Sequence, residues 1–218
     1  ITGYYAPENI YNVDQSPVAF QEGTKTTLEL AGADVVRIAG MDGADKRYAT
    51  QVCVLLANGV PQPKLSIIFR GTGKRISAEE RAAWDSRVQV DFQPKAWVDE
   101  DYALKWADRI IDFKGGKTAL LFMDNLTSQS TDDVRSKFEK GGVKVWYFPP
   151  GCTDIVQPVD RHYAKQLKAL MQRNLEKKLV DDSAFASAWF GILDGTYPAW
   201  RCRVLLTQLA GDAWDELN

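Results

Sequence analysis

A run of five apolar residues, Ala119 to Met123, is followed directly by the acidic residue Asp124. Short, continuous apolar runs of this kind are typical of strands that are buried on both faces of a sheet. Before this run, large apolar residues recur at spacings of three and four, which predicts an amphipathic helix from about Asp99 to Phe113. A doubly buried strand beside an amphipathic helix indicates an α/β protein in which helices cover a sheet.

The rest of the chain divides into a strand-rich first half and a second half in which strands and helices alternate. Apolar, β-rich runs separated by turns predict early strands at 9–13, 26–30, 48–56 and 65–69. After the central strand, the pattern predicts a helix, a second buried strand and a long helix at about 131–140, 143–148 and 158–179. The aromatic-rich residues 181–218 are expected to form short helices packed on the body of the protein.

Composition excludes several classes of protein. With 218 residues, of which 45% are hydrophobic and 26% charged, the chain is neither disordered nor fibrous. Its three cysteines have no C-x-x-C spacing, so neither a disulfide scaffold nor a structural zinc site is predicted. The absence of an apolar run of about 18 residues predicts no membrane span. The formal net charge is −2, so any contact with nucleic acid must be local.

Three acidic residues stand where predicted elements end or begin, and we refer to them as the three aspartates. Asp14 follows a strand-like run, Asp124 ends the central strand, and Asp160 begins the long helix on the face that points to the core. Taken singly, each has a structural explanation, because aspartate favours turns and stabilises helix N-termini by about 0.5–1 kcal/mol. The residues that flank them carry the further information.

The flanking segments are Asn-Val-Asp-Gln-Ser-Pro at 12–17, Leu-Phe-Met-Asp-Asn at 121–125, and Pro-Pro-Gly-Cys-Thr-Asp-Ile-Val-Gln-Pro-Val-Asp at 149–160. In this order they resemble the catalytic core of the DDE superfamily of transposases, specifically the pogo/Tigger/jerky branch of the mariner group. The strand and basic loop at 63–75 also resemble that branch, as do Trp97 and Trp106. Two departures are visible, since Gln15 stands where the family usually has Glu, and Gly-Cys at 151–152 replaces a more usual Asn-bearing pair.

The resemblance implies a fold and a set of metal ligands. The fold would be RNase H-like, a mixed five-stranded sheet flanked by helices, with Asp14 on the first strand, Asp124 at the end of the fourth and Asp160 on the helix beyond. Residues 1–180 would form this catalytic domain, and residues 181–218 a C-terminal helical extension packed on it. The three aspartates would be the catalytic residues and would hold two Mg²⁺ or Mn²⁺ ions, so we expect their carboxyl groups to lie in one cluster.

The resemblance also implies partners. The substrate would be DNA, the protein would act as a homodimer or a larger synaptic assembly, and its location would be the nucleus. In the family, sequence-specific DNA recognition belongs to helix-turn-helix modules ahead of the catalytic domain. We expect that upstream region to be absent from this chain, which begins with Ile1 rather than Met.

Two groups of basic residues are candidates for DNA contacts, one in a glycine-containing loop and one near Asp160. They are Arg70, Lys74 and Arg75, and Arg161, Lys165 and Lys168. Such residues neutralise phosphates, although a solvated charged surface is the alternative explanation for each group. No G-x-x-x-x-G-K-[ST] string is present, so no nucleotide cofactor is predicted. The single histidine, His162, is expected to have a surface or packing role, and Asn125 could orient Asp124 or contact substrate.

These observations predict a metal-dependent DNA transposase or endonuclease that cuts transposon ends and joins them to target DNA. Three alternatives stay open. The first is a host-domesticated derivative that acts as a nuclear DNA-binding or scaffolding protein without transposition. The second is a nuclease of the same fold that does not join its products to a target. The third is a non-catalytic interaction domain that docks partners through the aromatic residues of 185–214.

Overall fold

Six strands form one mixed sheet within the residues that the computed structural model describes, which are 4–19, 48–60, 63–149, 151, 156–190 and 197–217. In chain order the strands are β1 (Ile10–Ala19), β2 (Tyr48–Leu56), β3 (Ser66–Arg70), β4 (Gln89–Gln93), β5 (Ala119–Met123) and β6 (Val143–Tyr147). Across the sheet the order is β4-β3-β2-β1-β5-β6. Strand β2 runs antiparallel to both of its neighbours, and the other three pairs are parallel. The predicted strand at 26–30 lies outside the described residues.

Helices connect and cover the strands. They are α1 (Ala78–Ala83), α2 (Glu100–Lys114), α3 (Asp132–Lys140), a π-helix (Val159–Ala164), α4 (Lys165–Asp181), α5 (Ser183–Trp189) and α6 (Ala199–Leu217). Short polar side chains set two of the predicted helix starts. The Asp99 carboxylate accepts the Tyr102 N–H at 2.9 Å, and the Thr131 hydroxyl accepts the Val134 N–H at 3.4 Å. No described helix is both long enough and apolar enough to cross a membrane.

The two faces of the sheet carry separate hydrophobic cores. Alternate residues of β1, such as Val13, pack with Trp106 of α2 and Phe138 of α3 on one face. On the other face, strand residues such as Ile67 pack with Leu167 of α4 and with α6. Because side chains alternate along a strand, the even-numbered residues of β1 point toward this second face, where Val18 is part of the core. Asp14 therefore faces the side of the sheet that the π-helix and α4 cover.

The predicted α/β fold is confirmed, with six strands in place of the five that were expected. The additional strand is β4, whose sequence Gln-Val-Asp-Phe-Gln carries only two apolar residues and gives little strand signal. It lies at the sheet edge, parallel to β3. One consequence is that Asp124 follows the fifth of the described strands and not the fourth.

The C-terminal helices pack on the same core as the sheet. Trp189 and Trp214 are buried in it, and the Trp214 ring meets the Tyr163 ring edge-on at 6.0 Å between centroids. An ion pair also ties α6 to α1, because the Arg203 guanidinium donates to both carboxylate oxygens of the buried Glu80 at 2.6 and 2.8 Å. Both buried tryptophans are thus used for packing, which leaves them unavailable as a docking surface for partners.

Candidate active site

Two of the three aspartates are brought together by the pairing of parallel strands. Ile10 is in register with Leu120, and Asn12 with Phe122. Continuing this register by two residues brings Asp124, the first residue after β5, alongside Asp14. Neighbouring strands lie about 4.8 Å apart, so the two backbones are adjacent at this point. The Asp124 carboxylate also accepts the N–H of Asn125, the next residue, at 2.7 Å.

The third aspartate is carried to the same place by two hydrogen bonds between β1 and the segment before the π-helix. The buried Gln157 side chain donates from Nε2 to the carbonyl oxygen of Val13 at 2.8 Å. The Val159 N–H donates to Oδ1 of Asn12 at 2.9 Å. These contacts fix the start of the π-helix on β1, and Asp160 is its second residue. Rare π-helical turns occur often at functional sites.

The pKa of Asp14 reflects its burial and the nearby negative charges of Asp124 and Asp160. Burial is the largest cause that raises the pKa of Asp14, from 3.8 to about 7. The negative charges of Asp160 and Asp124 raise this pKa further, while hydrogen bonds from the Gln15 backbone and the Gln157 side chain lower it. Three carboxylates from distant parts of the chain therefore form one electrostatically coupled group.

The donor set fits a hard divalent cation. Mg²⁺ and Mn²⁺ prefer carboxylate oxygens, and the repulsion that raises the Asp14 pKa is the kind that a bound cation relieves. As the side chains stand, however, no group of three or more His, Cys, Asp and Glu residues in the described part of the chain is placed to hold a metal ion. The fold places Asp124 and Asp160 near enough for their charges to raise the Asp14 pKa, and the metal-ligand role of the three aspartates stays a prediction.

Lys168 lies in the same group of polar residues. Its ammonium donates to the Ser16 hydroxyl at 2.7 Å, and Ser16 is the next residue on the Asp14 face of β1. On β2, the buried Cys53 thiol is in register with Asp14. Burial is the main cause that raises the Cys53 pKa, with a contribution from Asp14, so this thiol stays protonated and is a poor nucleophile. Lys168 thus links α4 to β1 beside the carboxylates.

The other predicted DNA contacts fall into two places. Arg161 and Lys165 are exposed on the helix that carries Asp160. Arg70, which ends β3, is exposed, as are Lys74 and Arg75 in the loop that follows it. The strand register puts Phe69 level with Val18 of β1, so at about 3.3 Å per residue this loop begins roughly 20 Å from Asp14. The loop and the carboxylates are therefore not parts of one small site.

Sequence reasoning gave no role to Asn12 or Gln157, although both lie in the flanking segments. Both side chains are buried and hold Asp160 against β1. The available signal was an asparagine two residues before Asp14, because that spacing puts its polar side chain on the same buried face of the strand. His162 is exposed, in agreement with a surface role, and Asn125 is exposed with its N–H bonded to Asp124.

A family model described as "DDE superfamily endonuclease" matches residues 46–193. The matched range contains Asp124 and Asp160, and Asp14 lies upstream of it.

Solved structures of a mariner-type enzyme share the fold. The Mos1 transposase paired-end complex with left transposon end is 12% identical, with a TM-score of 0.52 over 97% of this chain and 56% of that chain. The Mos1 mariner paired end complex with Mn and the Mos1 Strand Transfer Complex each have 12% identity and a TM-score of 0.51, over 97% of this chain and 55% and 54% of theirs. The chain thus spans just over half the length of that protein, and the likeness shows that the two share an RNase H-like fold.

Proposed function

This chain belongs to the DDE superfamily endonuclease family, and we propose that it is the catalytic domain of a transposase that cuts transposon ends and joins them to target DNA. The observation that carries the proposal is the coupling of Asp14 to Asp124 and Asp160 at one end of the central parallel strands. A group of like charges is unfavourable in a purely structural role, because two charges 4 Å apart cost about 4 kcal/mol at an effective dielectric of 20.

The three aspartates would hold two Mg²⁺ or Mn²⁺ ions. When bound, the ion pair supplies the activation of a water or 3′-hydroxyl nucleophile and the stabilisation of the leaving oxygen. Asp14 and Asp124 lie on adjacent strands and are assigned to the shared ligand positions, and Asp160 is assigned to the second ion. The similar Mos1 structures include one that contains Mn, which supports the choice of cation.

Other residues of the chain position this group. Asn12 and Gln157 anchor the π-helix on β1 and so set the distance between Asp160 and Asp14. Lys168, bonded to Ser16, fixes the next turns of the helix at the same strand. In the proposal, Arg161 and Lys165 bind phosphates beside the scissile bond, and the loop with Arg70, Lys74 and Arg75 meets a more distant stretch of the duplex.

The narrower assignments belong to the same proposal. The segment at 149–160, with its Pro-Pro turn and Gln-Pro-Val-Asp ending, supports a place in the pogo/Tigger/jerky branch. The similar Mos1 structures are paired-end and strand-transfer complexes of that protein, which supports DNA as the substrate and a homodimer or larger synaptic assembly. The proposal also includes a nuclear location, which is where chromosomal target DNA would be met.

The test is strand cleavage of supercoiled plasmid DNA in Mg²⁺ or Mn²⁺. Asp124→Asn and Asp160→Asn are expected to reduce nicking by more than about 100-fold, because the loss of a direct ligand exceeds the 10–100-fold cost of losing its supporting residues. Asp181→Asn, at an exposed position at the end of α4, is the matched control and is expected to retain activity.

Two outcomes would count against the proposal. Nicking activity retained by Asp124→Asn would show that the aspartates do not take part in the reaction. Metal-independent DNA binding without any nicking, by a protein that contains its full upstream region, would favour a host-domesticated derivative. Joining of a labelled DNA end to a target duplex separates a transposase from a nuclease of the same fold.

A further inference from the structure

A cleft of about 410 Å³ opens on the sheet beside the three aspartates. It is lined by the residue two positions before each of them, namely Asn12, Phe122 and Pro158. Side chains two residues apart on a strand share a face and are about 6.6 Å apart. The cleft therefore adjoins the part of the sheet that carries Asp14 and Asp124, although the three aspartates themselves do not line it. Its volume is in the 300–1,000 Å³ range typical of ligand sites.

Two aromatic rings line this cleft. Phe122 on β5 and Phe148, just after β6, stack with 5.9 Å between centroids and 21° between planes. Both side chains are only partly buried. The Phe148 N–H donates to the carbonyl oxygen of Met123 at 3.0 Å, which extends the pairing of β5 with β6 and holds the second ring in place. Paired rings at a partly open site are suitable platforms for stacking a planar ligand.

The polar side chain of Asn12, which lines the cleft, is already engaged in hydrogen bonds. Oδ1 of Asn12 accepts the Val159 N–H, and Nδ2 of Asn12 donates to the carbonyl oxygen of Phe122 at 3.2 Å. The rest of the lining is largely apolar and includes Ile10 and Leu55. Such a lining favours stacking over the reading of hydrogen-bonding edges.

The neighbouring strand adds a positive charge. Trp146 is in register with Phe122 and therefore lies on the same face of the sheet, where 43% of its surface is exposed. Lys144, two residues earlier on β6, is exposed on that face as well. An exposed cation and an exposed ring beside an aromatic cleft complement the phosphates and bases of an unpaired nucleic-acid strand.

We propose that this cleft receives an unpaired nucleobase of the DNA strand at the candidate active site, stacked on Phe122 and Phe148 with little preference among the four bases. The inference rests on the proposed function, because it takes DNA as the substrate. It assigns to the chain a binding site that holds the strand end while the three aspartates act on the adjacent phosphodiester.

The test is a thermodynamic cycle between one ring and one base. The ligand is a fluorescently labelled DNA duplex with a short single-stranded overhang, bound to the chain in EDTA so that no cleavage occurs, with affinity read from anisotropy. An abasic site is placed at each overhang position in turn. Phe148→Leu, which removes the ring and keeps an apolar side chain, is expected to weaken binding about 5- to 150-fold, the range for loss of one stacked base.

Energetic coupling between Phe148→Leu and an abasic site would show that a DNA base occupies the cleft. At one overhang position, the abasic site is expected to weaken wild-type binding by a similar factor and to have little further effect on Phe148→Leu. Phe148→Tyr, which keeps a ring, is expected to retain both the affinity and the coupling. Trp97→Leu is the control, since Trp97 is an exposed ring that does not line the cleft. Cooperative thermal unfolding of each variant shows that it is folded.

Additive effects at every overhang position, or unchanged affinity in folded Phe148→Leu, would overturn the inference. A protein segment or a partner as the true occupant would give those same results. The proposed function is judged separately by plasmid nicking. If the protein nicks plasmid DNA but Phe148 and the base show no energetic coupling, only the base-binding inference is refuted. If the coupling is found but the protein does not nick DNA, only the catalytic proposal is refuted.

Discussion

The raised pKa of Asp14 means that this residue lowers the free energy of unfolding at neutral and alkaline pH. The carboxyl has a pKa of about 7 in the folded chain and 3.8 when freely solvated. The folded state therefore binds a proton that the unfolded state has released between these two values. In metal-free buffer, stability is unaffected by this group below pH 3.8, falls as the pH rises toward 7, and stays lowered above it.

The magnitude follows from the gap between the two values. Each pKa unit corresponds to 1.36 kcal/mol, so a gap of about 3 units lowers the free energy of unfolding by up to about 4 kcal/mol at pH 8. Asp14→Asn removes the charge and keeps the shape of the side chain. We expect this variant to be more stable than wild type at pH 8 by a large part of that amount, with the difference shrinking toward zero near pH 4.

Urea unfolding in EDTA at several pH values measures this difference directly. Asp181→Asn is the control and is expected to change stability by less than about 0.5 kcal/mol at every pH, because its side chain is exposed. A variant Asp14→Asn that is no more stable than wild type at pH 8, or whose advantage does not depend on pH, would refute the claim that Asp14 is strained by burial and by its two acidic neighbours.

Three further outcomes are expected. Mg²⁺ at about 100 times its dissociation constant should stabilise the wild type by about 2.7 kcal/mol in thermal unfolding, and a variant with all three aspartates changed to Asn should show no such gain. Glu80→Gln should cost about 3 kcal/mol in urea unfolding, because it leaves the partly buried guanidinium of Arg203 without its charge partner; an effect no larger than that of the exposed neighbour Glu79→Gln would contradict this. Gly73→Ala should lower stability by about 1–2 kcal/mol, since the backbone has φ +67° and a Cβ would lie 3.0 Å from the Phe92 ring; an unchanged melting temperature would show that the basic loop adjusts freely.

Local patterns were sufficient to predict most of the elements that carry the site. The apolar run at 119–123 is a strand over those five residues, and the helix expected from about Asp99 begins there because Asp99 is its N-cap. Both signals are contained within a few neighbouring residues. The strand at 48–56 was predicted with the same bounds for the same reason, as its β-branched and apolar residues end at a turn.

The sequence did not predict the features that depend on contacts between residues far apart along the chain. The π-helix has no local pattern and is anchored on β1 by Asn12 and Gln157. The strand β4 has few apolar residues and stands at the edge of the sheet that the described strands form. The roughly 20 Å between the basic loop and Asp14 depends on strand register, which no spacing along the chain reveals. The metal requirement and the assembly state stay predictions.

The π-helix at Val159–Ala164 also determines which sequence changes this region can accept. A π-helical turn holds one more residue than an α-helical turn, so loss of one residue from this stretch would let the chain wind as an uninterrupted α-helix. The wider turn accommodates that residue, so after such a deletion Asp160 would keep about the same angle relative to the core residues Leu167 and Met171. A change that made the stretch α-helical without removing a residue would instead rotate Asp160 by about 100°, the turn of one residue in a regular helix, and would carry it away from β1. The π-helix thus lets the chain hold one additional residue without displacing Asp160.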